Sequence, residues 1–373
     1  MTAPSSAGRD PRAIAYWLLV CAAMIFLMVV LGGITRLTES GLSITEWQPI
    51  AGILPPLSEA GWQAEFARYR EIPQFKLMHS WMGLADFKAI FFWEWLHRLW
   101  GRLIGVVFAV PLMWFVLRRR IPPGLAPRLG FILFLGFLQG VLGWVMVESG
   151  LVGRVEVSQY RLVAHLALAL AIYAAILWTA LGLLWPRPPA MPAAAAPPPA
   201  GLRRAAGMLA GLVFVTVLAG GFVAGTNAGL VYNTFPLMNG SVVPADYLDL
   251  HPWWRNWFEN VAAVQFNHRL LAMAVLAAVV ALWLAGQRHA LAARPRHALD
   301  ALLAAALLQV SLGIATLLLV VPVPLAVAHQ AGAVLLFTAA LVARHALREA
   351  AAHGPASHRP AFAGYHPRKE AGT

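Results

Sequence analysis

Glu94-Trp95-Leu96-His97-Arg98-Leu99-Trp100-Gly101-Arg102 stands at the mouth of an apolar run that continues to Leu117. A helix needs about 20 apolar residues to cross a bilayer, so this stretch sets a carboxylate, an imidazole and two guanidinium groups at one end of a membrane-spanning helix. On that helix Glu94, His97 and Arg98 share a side at the i, i+3, i+4 spacing, and Gly101 and Gly105 follow His97 on the same face. The face offers a metal ligand above two positions without side chains, with room for something broad and flat.

The rest of the chain agrees with a membrane reading. Hydrophobic residues make up 60% of it and charged residues 12%, and the mean hydropathy is +0.67. That is too apolar for a soluble protein of this length. The net charge of +12 does not point to nucleic acid, because the arginines sit in short connectors between apolar runs, where they orient membrane helices. Cys21 is the single cysteine, so an intramolecular disulfide or thiolate cluster is excluded. Residues 1–12 are too short for an amphipathic transit peptide and no small-residue cleavage site follows, so the first run is read as an uncleaved span of a bacterial chain.

Eight runs are long enough to cross: about 13–33, 89–117, 129–147, 160–184, 205–225, 261–284, 299–320 and 323–343. Only Pro322-Val323-Pro324 separates the last two, which form a tight hairpin. With eight spans, the basic connectors (Arg9 and Arg12, Arg118 to Arg120 with Arg128, Arg187 with Arg203 and Arg204, Arg288, Arg294 and Arg296, and the segment from Arg344) fall on one side. The positive-inside bias makes that side, and both termini, cytoplasmic. The long connectors 35–88 and 226–260, which carry most of the acids, face outward.

The chain also repeats itself. Gly32-Gly33 and Ser40-Gly41-Leu42 match Gly220-Gly221 and Ala228-Gly229-Leu230 at one constant offset, which Gly52 and Pro56 keep to Gly240 and Pro244. His97-Arg98 then matches His268-Arg269, Gln139 to Gly143 matches Gln309 to Gly313, and His165 matches His329. The expected architecture is an all-α integral membrane protein of eight transmembrane helices, built as two tandem four-helix bundles in a parallel repeat. Residues 1–184 form the first unit, 185–203 a Pro/Ala-rich cytoplasmic linker, 204–345 the second unit and 346–373 a disordered tail.

Of twelve histidines, His97, His165, His268 and His329 lie inside spans near the outer end, where an ionisable group usually has a partner. Two histidines from facing helices of a four-helix unit suit axial ligation of one haem. Zinc would want three or four ligands, and neither half adds a nearby Cys or Asp to its pair. Small residues below the histidines (Gly101, Gly105, Ala169, Ala272, Gly332, Ala333) leave space for a porphyrin, although small residues also serve ordinary helix packing. Arg98, Arg102 and Arg269 are candidates to pair with haem propionates or to snorkel to the interface. The other histidines, His79 included, carry no assigned role.

The repeat fails at one informative place: Glu94, three residues before His97, is matched by Gln265, three residues before His268. An acid beside one presumed haem and a neutral amide beside the other mark the N-terminal half as the one that does chemistry. The plainer reading pairs Glu94 with Arg98 or Lys88.

Phe87 to Phe91 leading into the Glu94 to Arg102 stretch, with Gly32-Gly33-Ile34-Thr35-Arg36-Leu37-Thr38 and Ser40-Gly41-Leu42-Ser43 before it, resembles the haem A synthase family, in its bacterial and mitochondrial-type branch, from the first span to His329. The resemblance implies an oxidoreductase that converts haem O to haem A, taking a porphyrin methyl group to a formyl group through successive hydroxylations and loss of water, for cytochrome oxidase biogenesis. It implies substrate haem O at His97 and His165, a resident haem b at His268 and His329, and the essential acid at Glu94. Some members carry cysteine pairs in the outer loops; none occurs here, so no thiol step carries over. The expected partners are haem O, haem O synthase and oxidase assembly factors, an electron-transfer partner, membrane lipid and a second copy of the chain, and the expected place is the bacterial inner membrane with the haem sites near the periplasmic side. Two other classes remain alternatives: an electron-transfer protein like a membrane cytochrome b, and a haem transporter, which would lack any nucleotide-binding GxxxxGK[ST] motif.

Overall fold

The computed structural model describes residues 11–47, 51–185 and 198–350. Its long helices are α1 (Pro11–Leu37), α3 (Leu84–Leu117), α4 (Leu125–Leu151), α5 (Gln159–Leu184), α6 (Ala200–Gly225), α8 (Val261–Gln287), α9 (Ala293–Leu318) and α10 (Val323–Ala350), and two shorter ones lie in the connectors, α2 (Glu59–Tyr69) and α7 (Asn256–Glu259). All eight long helices have the length and apolarity to cross a membrane, and the chain is a multi-pass membrane protein. Most of the linker expected at 185–203, and the tail beyond 350, lie outside the described residues.

Helix ends fall where local chemistry puts them. α3 begins five residues before the apolar run does, because the Asp86 carboxylate accepts the Gly83 N–H (3.0 Å) and so caps the first turn. α9 stops at Leu318, where Val320 and Val321 take left-handed backbone angles (φ 61° and 57°) ahead of Pro322. That turn makes the tight α9–α10 hairpin expected from the prolines.

The same neighbour scheme occurs in each half. α1 packs on α3 and α5, and α4 packs on α5 and α3; in the second half α6 packs on α8 and α10, and α9 on α10 and α8. The halves meet through α5 with α6, α1 with α10, and α5 with α10. The buried apolar core runs through this junction, with Leu18, Leu170, Ile176, Val213, Val279 and Leu302 essentially inaccessible. At the end of the bundle that carries the long connectors, Arg36 ties three elements together. Its Nη2 pairs with Glu156 (2.9 Å) between α4 and α5 and donates to Asn227 Oδ1 (3.0 Å) just beyond α6, while its Nε donates to the Ala224 carbonyl (3.2 Å).

Within a span a lone carbonyl has no water to bond, so each must be satisfied by protein. Pro111 sits inside α3 and has no N–H to give the Val107 carbonyl. The Trp17 indole of α1 donates to that carbonyl instead, at 2.7 Å, while its ring packs on Phe108 and Phe115. Replacing Trp17 with Phe strands the carbonyl, at a cost of about 1–3 kcal/mol on top of lost ring contacts. In a Pro111→Ala background, where the backbone donor returns, that extra cost disappears. Thermal unfolding of the two single variants and the double variant measures it, and purely additive losses would exclude this pairing.

Candidate functional site

The outer end of α3 carries Glu94, His97, Arg98 and Arg102, and Glu94 is 3% exposed. Its side chain is held by donors on every side. Oε2 accepts from the Ser43 hydroxyl (2.8 Å) and the Ile44 N–H (2.8 Å), and Oε1 accepts from Arg98 Nε (3.1 Å) and Nη2 (2.6 Å). A carboxylate is the one form of this side chain that accepts four hydrogen bonds and donates none. Arg98 spends its remaining donors on the Ile44 and Glu46 carbonyls (3.0 and 3.4 Å), and Arg102 reaches the Gly52 carbonyl (3.2 Å). The arginines weighed as propionate partners therefore also lace the first outer connector to α3. Lys88 reaches Glu59 (3.4 Å) and makes no bond to Glu94.

That connector is shaped by a network the sequence did not disclose. Glu39, at φ 53°, ends the turn after α1. Its carboxylate bonds His79 Nε2 (2.8 Å), and Tyr69 joins His79 Nδ1 (2.6 Å) to Gln74 (3.0 Å), which in turn donates to the Glu39 carbonyl (3.2 Å). Burial first, then the neighbouring Glu39 and Glu94, push the Tyr69 hydroxyl well above the usual phenol range. The network pins residue 39, four residues before Ser43, and so positions the loop that grips Glu94. His79 was thus a loop residue by default that turns out to be buried and bonded on both ring nitrogens.

In the second half the geometry is matched and the polarity inverted. Gln265 is equally buried; its amide donates to the Ala228 carbonyl (2.8 Å), and its oxygen accepts from Arg269 Nη2 (3.1 Å). Arg269 also binds the Thr234 and Tyr232 carbonyls (2.8 and 2.6 Å). The Tyr232 hydroxyl, bonded to Asp246 (2.6 Å), is pushed up to about 12 by that bond. Where the first connector turns donors toward α3, the second turns a carbonyl toward α8, and only an amide can answer it.

Each of the four span histidines lies against a glycine of a neighbouring helix. A β-carbon at Gly32, Gly143, Gly220 or Gly313 would stand 2.8–3.2 Å from Cε1 of His97, His165, His268 or His329, respectively, tighter than ordinary van der Waals contact. The rings thus turn their Cε1–Nδ1 edges into a helix backbone. Nδ1 of His97, His165 and His268 is buried with no partner in good hydrogen-bond geometry, although the Leu31 and Thr216 backbones stand near His97 and His268, and Nδ1 of His329 meets the Gln309 amide nitrogen at 3.1 Å. Gln139 and Gln309 fix the backbone behind the rings by donating to the His165 and His329 carbonyls (3.0 and 2.9 Å). These glycines were visible in the repeat, but sequence spacing tied none of them to a histidine. Of the small residues that were singled out, Gly101 meets Met28 of α1 and Gly332 meets the Gln309 carboxamide, while Gly105 faces open space.

This arrangement fits a haem better than a polydentate metal. Among the described residues no three His, Cys, Asp or Glu side chains converge. The His268 and His329 rings lie 6.5 Å apart at 86°. Two imidazoles on one iron, at about 2 Å per bond, place their ring centres roughly 6 Å apart. The spacing of this pair would fit two histidine ligands of one haem iron.

The profile of the family described as cytochrome oxidase assembly protein matches residues 15–341. The chain is 52% identical over 345 residues to a protein of Rhodospirillum centenum named heme A synthase, covering 92% of this chain and 91% of that one. It is 51% identical over 337 residues to the heme A synthase of Nitrosospira multiformis, covering 90% and 94%. Proteins of the same name in Nitrosomonas eutropha and Parvibaculum lavamentivorans match at 50% and 49%.

The inverted polarity gives a direct check. Gln265→Glu turns a carboxylate oxygen against the Ala228 carbonyl and should lower the thermal midpoint by an amount equivalent to about 1–3 kcal/mol. An unchanged midpoint would show that the amide is not held by that carbonyl.

Proposed function

The chain belongs to the cytochrome oxidase assembly protein family, and from that premise we propose that it is an enzyme that makes haem A from haem O, oxidising one methyl group of the substrate porphyrin to a formyl group. The observation that carries the reading is the difference between two otherwise matching sites: a four-bonded carboxylate beside His97, and an amide beside His268.

In this reading His97 and His165 hold haem O as substrate, and their glycine contacts fix the ring planes so that the reacting edge meets the α3 face bearing Glu94. His268 and His329 would hold the resident haem b, which when bound supplies a one-electron relay to an external partner. The carbon being oxidised gains positive character and sheds protons, and Glu94 answers both demands in a medium of low dielectric. Oε1 faces the Arg98 guanidinium, so the proton goes to Oε2. There the Ser43 hydroxyl can turn from donor to acceptor, whereas the Ile44 N–H cannot. Gln265 has no oxygen able to take a proton in this way, which leaves the second half to electron transfer.

In the same reading, supported by the bias of the basic connectors, both termini are cytoplasmic and the four histidines lie near the periplasmic face of the bacterial inner membrane. Haem O synthase upstream and oxidase assembly factors downstream are the partners such a product requires. Expression in a host that makes haem O but lacks haem A, followed by pigment analysis, tests the activity. Haem A should appear with this chain and fail with Glu94→Gln, in which haem binding persists; normal haem A output from that variant would remove Glu94 from the chemistry. His268→Ala or His329→Ala should abolish the low-spin haem b spectrum, and an unchanged spectrum would remove the pair from that role. Two tightly held haems b with no haem A in any host would favour a simple electron-transfer protein.

A further inference from the structure

At the end of the bundle away from the histidines, a cleft of about 450 Å³ opens between the two halves. Arg344 is about four turns beyond His329 on α10, roughly 22 Å along the axis, so the cleft is separate from the haem sites. Its floor is small and apolar (Ala174, Ala175, Gly207, Ala210, Gly211), Phe214, Phe337 and Leu341 wall it, and Arg128 and Arg344 stand at its mouth.

The mouth is built for an anion. Arg128 and Arg344 are exposed, and neither forms a salt bridge among the described residues. The Arg344 guanidinium lies where a β-carbon at position 207 would be, so the absence of a side chain at Gly207 lets it lie across α6. Trp178 holds the Arg344 and Arg348 guanidinium groups at 5.6 and 5.3 Å from its ring, a cation–π arrangement with an interfacial aromatic. Arg128 and Arg344 both line this apolar cleft and neither has a carboxylate partner among the described residues, so an anion is the complement their charges lack.

An occupant must be apolar along the floor and anionic at the rim, which excludes an acidic peptide and a free inorganic anion. No histidine lines the cleft, so no haem would be ligated there. We propose that this cleft binds one anionic phospholipid, its acyl chain along the Gly/Ala floor and its phosphate between Arg128 and Arg344. Basic pockets between spans on the cytoplasmic side suit such headgroups, and a ligand lodged across α4, α5, α6 and α10 joins the two halves at the end where Arg36 does not.

The test uses full-length protein, purified in mild detergent and stripped of lipid, with phosphatidylglycerol, phosphatidylcholine or inorganic phosphate added back. Native mass spectrometry should show one phosphatidylglycerol per chain, and the thermal midpoint should rise with that lipid alone. Arg128→Gln with Arg344→Gln should weaken its binding at least tenfold. Gly211→Leu, which projects into open space beside the floor and leaves both arginines where they are, should do the same. Equal binding of phosphatidylcholine, the full shift from phosphate alone, or undiminished binding by both variants would overturn the proposal. Should the double arginine variant fail to fold, headgroup selectivity of the unmodified chain and the Gly211→Leu result decide it.

Discussion

In a lipid-embedded bundle every polar atom must be answered by another part of the protein, because water is not there to do it. Much of the detail here follows from that constraint. Pro111 removes a donor from α3 and Trp17 replaces it from α1. Arg36, drawn away from lipid, finds a carboxylate in the α4–α5 connector and a carbonyl and an amide at the end of α6. Threonines within spans bond back to the carbonyl four residues earlier, as Thr179, Thr216 and Thr338 do. Against this background Nδ1 of His97, His165 and His268 stands without a partner, as do the side-chain oxygens of Gln139 and Gln309 beside His165 and His329, and this gathering of unanswered polar atoms around the histidines is what a site kept for something else leaves.

The contrast between Glu94 and Gln265 shows how two sites of one geometry come to differ. Both side chains sit one turn before an arginine, and both arginines bind carbonyls of the preceding outer connector. What differs is what the connector presents. Ser43 and the Ile44 N–H are donors and stabilise a carboxylate; the Ala228 carbonyl is an acceptor and requires an N–H. Exchanging acid for amide alone would leave a donor facing donors or an acceptor facing an acceptor, each costing about 1–3 kcal/mol. Side chain and connector therefore have to change together, and the chemistry of each half is written in its loop as much as in its helix.

Much of this was legible in the sequence because membrane helices announce themselves by length and composition. The eight spans, the α9–α10 hairpin and the matched histidines could all be read from apolar runs and spacing. The glycine behind each histidine could not, although Gly32, Gly143, Gly220 and Gly313 all stood in the repeated motifs, because they act on residues of a different helix. The same limit hid the role of His79. Its partners Glu39, Tyr69 and Gln74 lie up to 40 residues away, in a connector where no periodicity reports which side chains meet. The extra turn at the start of α3 was missed for a simpler reason: Asp86 and Lys88 are polar, and an apolar count stops before a capped turn that carries charge.

The halves are not independent, and the contact between α1 and α10 shows why their fusion in one chain matters. Gln330, next to His329, donates to the Val29 carbonyl of α1 at 2.7 Å, and its carboxamide fills the space left by Gly33. Gly32, beside it, is the residue against which His97 packs. One turn of α1 is thus in contact with the ring of one histidine pair and with the neighbour of a ring in the other. At the matching contact across the junction, Gly221 of α6 receives Val163 and Leu166 of α5, apolar side chains that make no hydrogen bond. Gln330 therefore links the neighbour of one ring to the α1 turn behind another by a hydrogen bond, whereas the contact at Gly221 is made by apolar side chains alone.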